Sequence, residues 1–211
     1  MTKLEVLNPA TNEVIETLEY TDEATMNKQI EKAHDAFLSW REVDAHTRSE
    51  KLWAWSKLID EHKEELAELI TKEDGKPLKE ALGEVDYARS YVDWYAAEAK
   101  RLYGRTIPAN SASKKIIVQS FPVGVVGAIT PWNFPAAMIT RKMAPALAAG
   151  CTIVCKPAVQ TPLTTIRLVE LAHEAGIPKD VIQYVIISGK DAGRIFTESP
   201  IIQKITFTGS T

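Results

Sequence analysis

Residues 125–160 read VVGAITPWNFPAAMITRKMAPALAAGCTIVCKPAVQ, and the fold can be worked out from this stretch. A short apolar run is followed by a turn, a helical segment rich in alanine, and a second apolar run. The pattern predicts parallel strands at residues 125–130 and 152–155, joined by a helix over residues 136–149 that Pro145 interrupts. Because both runs are apolar along their length, we expect helices to cover both faces of the sheet.

The same alternation continues downstream of this β–α–β unit. Further helices are predicted at residues 164–175 and 191–198, and further strands at residues 181–187 and 204–208. Gly150 and Gly176 stand where helix C-caps belong. The rhythm predicts an α/β fold with a parallel, Rossmann-like sheet, flanking helices and right-handed crossovers.

The region upstream has a helical pattern. A turn at Asn12 separates two short apolar stretches, and a first helix begins after Thr21 or Asp22. Apolar residues at helical spacing over residues 52–69 predict one long helix. A third helix follows and ends at Gly104, which can act as its cap.

The composition is that of a globular domain, and it excludes several classes of function. The chain has 211 residues, 45% of them hydrophobic, and a net charge of -3, so it lacks the basic surface that nucleic-acid binding requires. No secretory signal and no membrane-spanning segment are visible, and we expect a cytoplasmic protein. Cys151 and Cys155 would lie about 13 Å apart on a strand, at roughly 3.3 Å per residue, so they are expected to be free thiols.

Three polar turns follow predicted strands. They occupy residues 130–135, 156–160 and 207–211. Ligands of open parallel sheets bind at the carboxyl ends of the strands, so a ligand site is expected where these turns meet.

The chain resembles the aldehyde dehydrogenase superfamily over nearly all of its length, with the closest likeness to the succinate-semialdehyde dehydrogenase branch. Five segments carry the resemblance, in the order and spacing of the family: PWNFP at 131–135, AAGC at 148–151, KPA at 156–158, QTP at 160–162 and FTGST at 207–211. The resemblance implies an oxidoreductase that uses NADP or NAD. It also implies a mostly helical part at residues 1–104, a strand of a small β oligomerisation subdomain at 105–123, and a βαβ cofactor-binding core at 124–211.

The resemblance also implies roles for individual residues. Asn133 matches the residue whose amide stabilises the oxyanion, although it could instead brace its turn. Lys156 matches a lysine that binds the adenosine ribose, with a plain surface lysine as the alternative. The other positions implied to lie at the cofactor are Thr130, Pro131, Trp132, Ala158, Val159, Gly189, Phe207, Gly209 and Ser210. For Trp132 a core position, and for Gly189 an ordinary turn, explain the residue almost equally well.

Two positions bear on specificity. Val159 stands where NAD-preferring members of the family often have Glu, so we expect NADP to be accepted. Arg141 matches an arginine that binds the distal carboxylate of succinate semialdehyde, and its alternative role is that of a helix-surface arginine paired with a local acid. Glutarate semialdehyde, betaine aldehyde or another small aldehyde remain possible substrates.

The nucleophilic cysteine and general-base glutamate of the family lie downstream of residues 207–211. Cys151 and Cys155 lie in or beside a buried strand and are expected to be inert, and the four histidines have no metal-ligand spacing. We therefore expect an N-terminal fragment that lacks the catalytic domain, binds cofactor weakly and is inactive alone. The complete protein would oxidise its aldehyde through a cysteine thiohemiacetal, as a homo-oligomer (dimer or tetramer) without nucleic-acid or membrane partners. A non-catalytic cofactor-binding or assembly module is the alternative.

Overall fold

The computed structural model describes residues 3–210, so Thr211, the last residue of the 207–211 motif, lies outside the described residues, as do Met1 and Thr2. The strands are β1 (Lys3–Leu7), β2 (Val14–Glu19), β3 (Arg105–Ile107), β4 (Ile116–Val118), β5 (Val125–Ile129), β6 (Thr152–Lys156), β7 (Ile182–Tyr184) and β8 (Ile202–Phe207). The helices are α1 (Glu23–Trp40), α2 (Ala45–Glu61), α3 (Lys63–Asp74), α4 (Leu78–Glu98), α5 (Ala137–Ala148), α6 (Leu163–Glu174) and α7 (Gly189–Glu198).

A four-stranded parallel sheet with the order β7-β6-β5-β8 forms the centre of the fold. Side chains of β5 and β6 alternate between two cores. Val126 and Ile153 pack with α2 to α6 on one face, whereas Val125 and Val154 pack with α1 and α7 on the other. The predicted α/β fold with a parallel sheet covered on both faces is therefore confirmed.

Gly127 explains how α7 approaches the sheet so closely. A Cβ atom added at this position would lie 2.8 Å from the ring of Phe196, which is fully buried on α7. Glycine is therefore the residue that allows the aromatic ring to rest directly on the backbone of β5.

Two small antiparallel pairs, β1 with β2 and β3 with β4, lie outside the central sheet. The turn of the first pair contains Asn12, which has a positive φ of 60° as its turn position requires. Gly150 and Gly176 are left-handed and follow α5 and α6, which confirms the predicted C-caps.

Three predicted helix boundaries are wrong. The long helix breaks at His62 into α2 and α3, and the apolar spacing hid the break because both helices bury side chains in one core. Pro145 does not interrupt α5, because it lies in the last turn and its own carbonyl still accepts from the Ala149 N–H at 3.0 Å. Gly104 does not cap α4, which ends at Glu98 and passes into a short 3-10 turn.

Two predicted strands are shorter than expected. Strand β4 occupies only three residues of the segment 105–123, for which the resemblance implied one strand. Strand β7 ends at Tyr184. The Val185 N–H still bonds to the Cys155 carbonyl of β6 at 2.8 Å, and the Ile186 N–H then bonds to the Thr21 side chain at 3.0 Å. Burial continues to Ile187, so apolar character alone did not mark the end of this strand.

Helices α5 and α6 take their N-terminal caps from distant carboxylates. Neither helix has a capping side chain of its own. Glu73 on α3 accepts from the N–H groups of Leu163 and Thr164, both at 2.8 Å. Glu84 on α4 accepts from the N–H groups that begin α5. Each carboxylate satisfies backbone donors that a helix start would leave unpaired, and it thereby fixes one helix against another.

Within residues 3–210, no helix combines the length and the apolar character that a membrane span requires. Both cysteines are buried free thiols, in agreement with the prediction.

The buried carboxyl of Glu73 gives a testable pH dependence. Burial raises the pKa of Glu73 to about 7, although hydrogen bonds from Thr164 and Leu163 act to lower it. Between its ordinary pKa of 4.5 and pH 7 the folded state binds more protons than the unfolded state, so stability decreases as the pH rises. Denaturant unfolding should show a loss of about 3 kcal/mol from this group over that range.

Glu73→Gln should flatten this part of the stability profile. Glu68→Gln, on the exposed face of the same helix, is the matched control and should leave the profile unchanged. An equal pH dependence in wild type and Glu73→Gln would contradict the assignment.

Candidate functional site

The carboxyl ends of β6, β5 and β8 meet at one edge of the sheet. Ile129 pairs in register with Lys156 on one side and with Phe207 on the other. Beyond the last pairs, the Thr130 N–H donates to the Lys156 carbonyl at 3.2 Å, and the Thr208 N–H donates to the Ile129 carbonyl at 3.0 Å. The three polar turns therefore start side by side, as the sequence predicted.

A cleft of about 360 Å³ separates the first turn from the third. Its lining consists of Pro131, Trp132, Asn133, Phe134, Met138, Thr208, Gly209 and Ser210. The side chain of Asn133 is exposed, and Trp132 is more than half exposed, which corrects the alternative that it is a core aromatic. Five of the predicted site residues thus share one opening that can hold a small ligand.

The second turn lies next to this cleft but does not line it. Thr161 donates from its hydroxyl to the Trp132 carbonyl at 3.3 Å, which ties the loop after β6 to the loop after β5. Ala158 is buried and Val159 is half buried in the same loop. These two residues therefore lie along the same sheet edge as the cleft.

The amine of Lys156 lies beside Gly189. A Cβ atom added at Gly189, the first residue of α7, would lie 3.9 Å from the Lys156 Nζ and would meet nothing else within 4 Å. Burial lowers the pKa of this amine. In the part of the chain that the structure describes, no carboxylate lies within ion-pair distance of it. The amine is therefore nearly buried beside the start of α7, without an ion-pair partner among residues 3–210.

Arg141 lies on α5, behind the cleft. Its guanidinium stacks 5.3 Å from the centre of the Tyr91 ring on α4, and one nitrogen lies 3.8 Å from the Met138 sulfur. Met138 lines the cleft, so Arg141 contacts the cleft wall without lining it. The side chain is exposed, and within residues 3–210 it has no acidic partner, unlike the helix-surface arginine that was the alternative.

Three further charged residues at the site were not found from the sequence. Lys142 is buried and donates from its Nζ to the Thr208 hydroxyl at 2.5 Å, and burial lowers its pKa. Lys76 and Glu84 hold the backbone of the loop after β5. These contacts join residues more than 50 positions apart, so no local motif could have indicated them.

Both cysteines are buried, and the described residues form no metal site. Cys155 is fully buried, and burial raises the pKa of its thiol well above the ordinary value. Cys151 is also buried. Among residues 3–210, no group of three or more His, Cys, Asp or Glu side chains is arranged to hold a metal ion.

A second opening of about 510 Å³ lies at the start of α1 and α7. Its wall contains Asp22, Glu23 and Asp191, together with Arg194, whose guanidinium already pairs with Glu23 at 2.6 Å. Three carboxylates make this opening a poor site for an anionic ligand, so the cleft at the strand ends is the better candidate.

The family model described as "Aldehyde dehydrogenase family" matches residues 1–211. The chain belongs to the aldehyde dehydrogenase family. It is 52% identical over 208 residues to a glutarate-semialdehyde dehydrogenase of Pseudomonas putida, and 47% identical over 208 residues to the NADP⁺ succinate-semialdehyde dehydrogenase of Escherichia coli. Each alignment covers 99% of this chain and 43% of the relative.

Solved aldehyde dehydrogenases have the same fold. One from Brucella melitensis biovar abortus superposes with a TM-score of 0.98 at 47% identity, over 99% of this chain and 43% of that chain. The predicted family and the likeness to the semialdehyde branch are confirmed. The chain spans well under half the length of these dehydrogenases, and the roles assigned to its site residues stay predictions.

Proposed function

We propose that this chain is the cofactor-binding part of a dehydrogenase that oxidises an aldehyde to a carboxylate with NADP or NAD. One observation carries the proposal: the turn of Asn133, the amine of Lys156 and the loop of Gly209 share one edge of the parallel sheet. A reacting carbonyl needs an amide donor, and a ribose can bind to a cation. A pyrophosphate needs a glycine that lets the backbone come close.

The residues at this edge fit a dinucleotide. Lys156 presents an amine without an ion-pair partner among residues 3–210, and Gly189 leaves the space beside it open. Lys156 would donate to the ribose hydroxyls, while Gly209 and Ser210 would face the pyrophosphate and nicotinamide side. When bound, the dinucleotide supplies the hydride acceptor.

Asn133 would act on the substrate itself. When a cysteine thiolate attacks the aldehyde carbon, the carbonyl oxygen becomes an oxyanion, and the Asn133 amide would donate a hydrogen bond to it. One such donor typically stabilises the transition state by about 2.7–4 kcal/mol. The buried Cys151 and Cys155 do not suit this attack, so the thiolate would come from outside residues 3–210.

The substrate we propose is a semialdehyde with a distal carboxylate, succinate semialdehyde first and glutarate semialdehyde second. Arg141 supports this choice because it contacts the cleft wall through Met138 and lacks an acidic partner among residues 3–210. A guanidinium binds a carboxylate with two parallel hydrogen bonds, whereas it would repel the cation of betaine aldehyde. The two relatives described above act on these semialdehydes by name.

NADP is the cofactor that we favour, with NAD also accepted. Val159 is half buried on the loop after β6 and carries no carboxylate that would repel a 2′-phosphate. The amine of Lys156 comes from the start of the same loop, and the relative from Escherichia coli is an NADP⁺ enzyme by name.

We also propose a cytoplasmic homo-oligomer, dimer or tetramer. The two buried free thiols are typical of a reducing compartment. Ile117 and Phe121, in and after β4, are about two-thirds or more exposed, and such exposed apolar side chains favour association.

Asn133→Ala tests the proposed function. In the full-length protein, kcat for aldehyde-dependent NADPH formation should fall by about 10²- to 10³-fold, because one oxyanion donor is lost. The Kd for NADP should change little. Asn27→Ala, at an exposed site on α1, is the control. Unchanged turnover in Asn133→Ala would refute the oxyanion role of Asn133, whereas a wild type without turnover on any aldehyde would favour a non-catalytic binding or assembly module.

Arg141→Met tests the substrate assignment. The KM for succinate semialdehyde should rise by roughly 10- to 100-fold, since a charged hydrogen-bonded pair contributes about 1.5–3 kcal/mol, while the KM for butanal should stay nearly constant. The exposed Arg101→Met is the control. Equal changes for the two aldehydes would refute the role of Arg141.

Val159→Glu tests the cofactor preference. A carboxylate at this position should lower kcat/KM with NADP relative to NAD by about tenfold or more, because it repels the 2′-phosphate. Val159→Gln, which has a similar shape and no charge, should retain most of the activity with NADP. A wild-type enzyme that strongly prefers NAD would overturn this assignment.

A further inference from the structure

We propose that Lys76 and Glu84 are positioning residues for the reaction: together they fix the backbone on both sides of Pro135, and so the direction in which Asn133 presents its amide. This inference rests on the proposed function of Asn133. Both residues lie outside the sequence motifs. They would act on catalysis through Asn133, without touching the substrate.

Glu84 holds the far end of the loop, where α5 begins. One of its carboxylate oxygens accepts from the Ala136 N–H at 2.9 Å and from the Ala137 N–H at 3.3 Å. The side chain is only 1% exposed, so water cannot replace it as the partner of these donors. The first turn of α5 is therefore anchored to α4 by this single carboxylate.

Lys76 holds the near end of the loop. Its Nζ pairs with the other oxygen of Glu84 and donates to the Asn133 carbonyl at 2.9 Å. The same ammonium lies 4.2 Å from the centre of the Phe134 ring, and Asp74 is 3.3 Å away. One ion pair thus contacts residues 133, 134, 136 and 137 and spans the turn that carries the candidate oxyanion donor.

This arrangement is more specific than helix capping requires. A serine or aspartate at the start of α5 would satisfy the same N–H groups locally. A nearly buried pair, by contrast, needs close partners for both charges, and here the ammonium finds one of them in the Asn133 carbonyl. The side chain of Asn133 is itself exposed, so its direction depends on how firmly the backbone beneath it is held.

The test uses the full-length protein with Glu84→Gln and Lys76→Met. In Glu84→Gln, one amide oxygen can still cap α5, but the amide nitrogen faces the lysine and breaks the pair. In Lys76→Met, the cap stays and the bond to Asn133 is lost. Glu80→Gln and Lys79→Met, both exposed on the first turn of α4, are matched controls.

We expect kcat to fall by about 10- to 100-fold in both variants, because a displacement near 1 Å can cost that much rate. The Kd for NADP should stay within about twofold, since Lys156 and Gly189 are untouched. In the Asn133→Ala background the same substitutions should change kcat by less than about threefold, because residues that act through Asn133 have nothing left to position.

The outcomes separate this inference from the function it rests on. If Asn133→Ala itself retains full kcat, the proposed role of Asn133 fails, and with it the positioning role. If Asn133→Ala is impaired while Glu84→Gln and Lys76→Met match their controls, the function stands and the positioning role is wrong. Equal losses with and without Asn133 would show a purely structural role and also overturn it. Should Glu84→Gln not fold, Lys76→Met decides the question, because it leaves the cap of α5 in place.

Discussion

Parallel pairing of β5 with β6 and β8 is the constraint on which the rest of this molecule depends. The registers that align Ile129 with Lys156 and with Phe207 bring three strand ends to one edge. The turns of residues 130–135, 156–160 and 207–211 all start within one or two residues of these pairs. A shift in register would move the turn of Asn133 away from the loops of Lys156 and Gly209 together, because the backbone hydrogen bonds of Thr130 and Thr208 continue the same ladder.

The helical part upstream of the sheet has a direct part in this site. Glu73 and Glu84 come from α3 and α4, yet they cap α6 and α5, the two helices that flank β6 along the chain. A carboxylate from another helix accepts hydrogen bonds from the unpaired N–H groups, and its negative charge interacts favourably with the positive end of the helix dipole. Residues 3–104 therefore position the loops of the cofactor-binding core as well as covering its face.

Much of the fold was predictable because its signals are local. Apolar runs of strand length predicted the parallel sheet, and glycines after α5 and α6 marked real helix ends. Two of the errors share a cause: apolar spacing reports burial, and burial continues past the end of a helix or strand. His62 interrupts two helices that share a core, and residues 185–187 stay buried after β7 has ended.

The sequence by itself determined the α/β class, the family, and the three turns in which a ligand site should lie, because turn residues and strand-length apolar runs are read from neighbouring positions. Only the tertiary structure decided which turns line a common cleft, that Lys156 meets Gly189, and that Lys76, Glu84 and Lys142 belong to the site. In these contacts each charged side chain meets a partner that lies 33 to 66 positions away in the sequence. Lys142 and Thr208 are the farthest apart, at 66 positions. Their partners are set by how helices pack on the sheet, a property that no local pattern of residues contains.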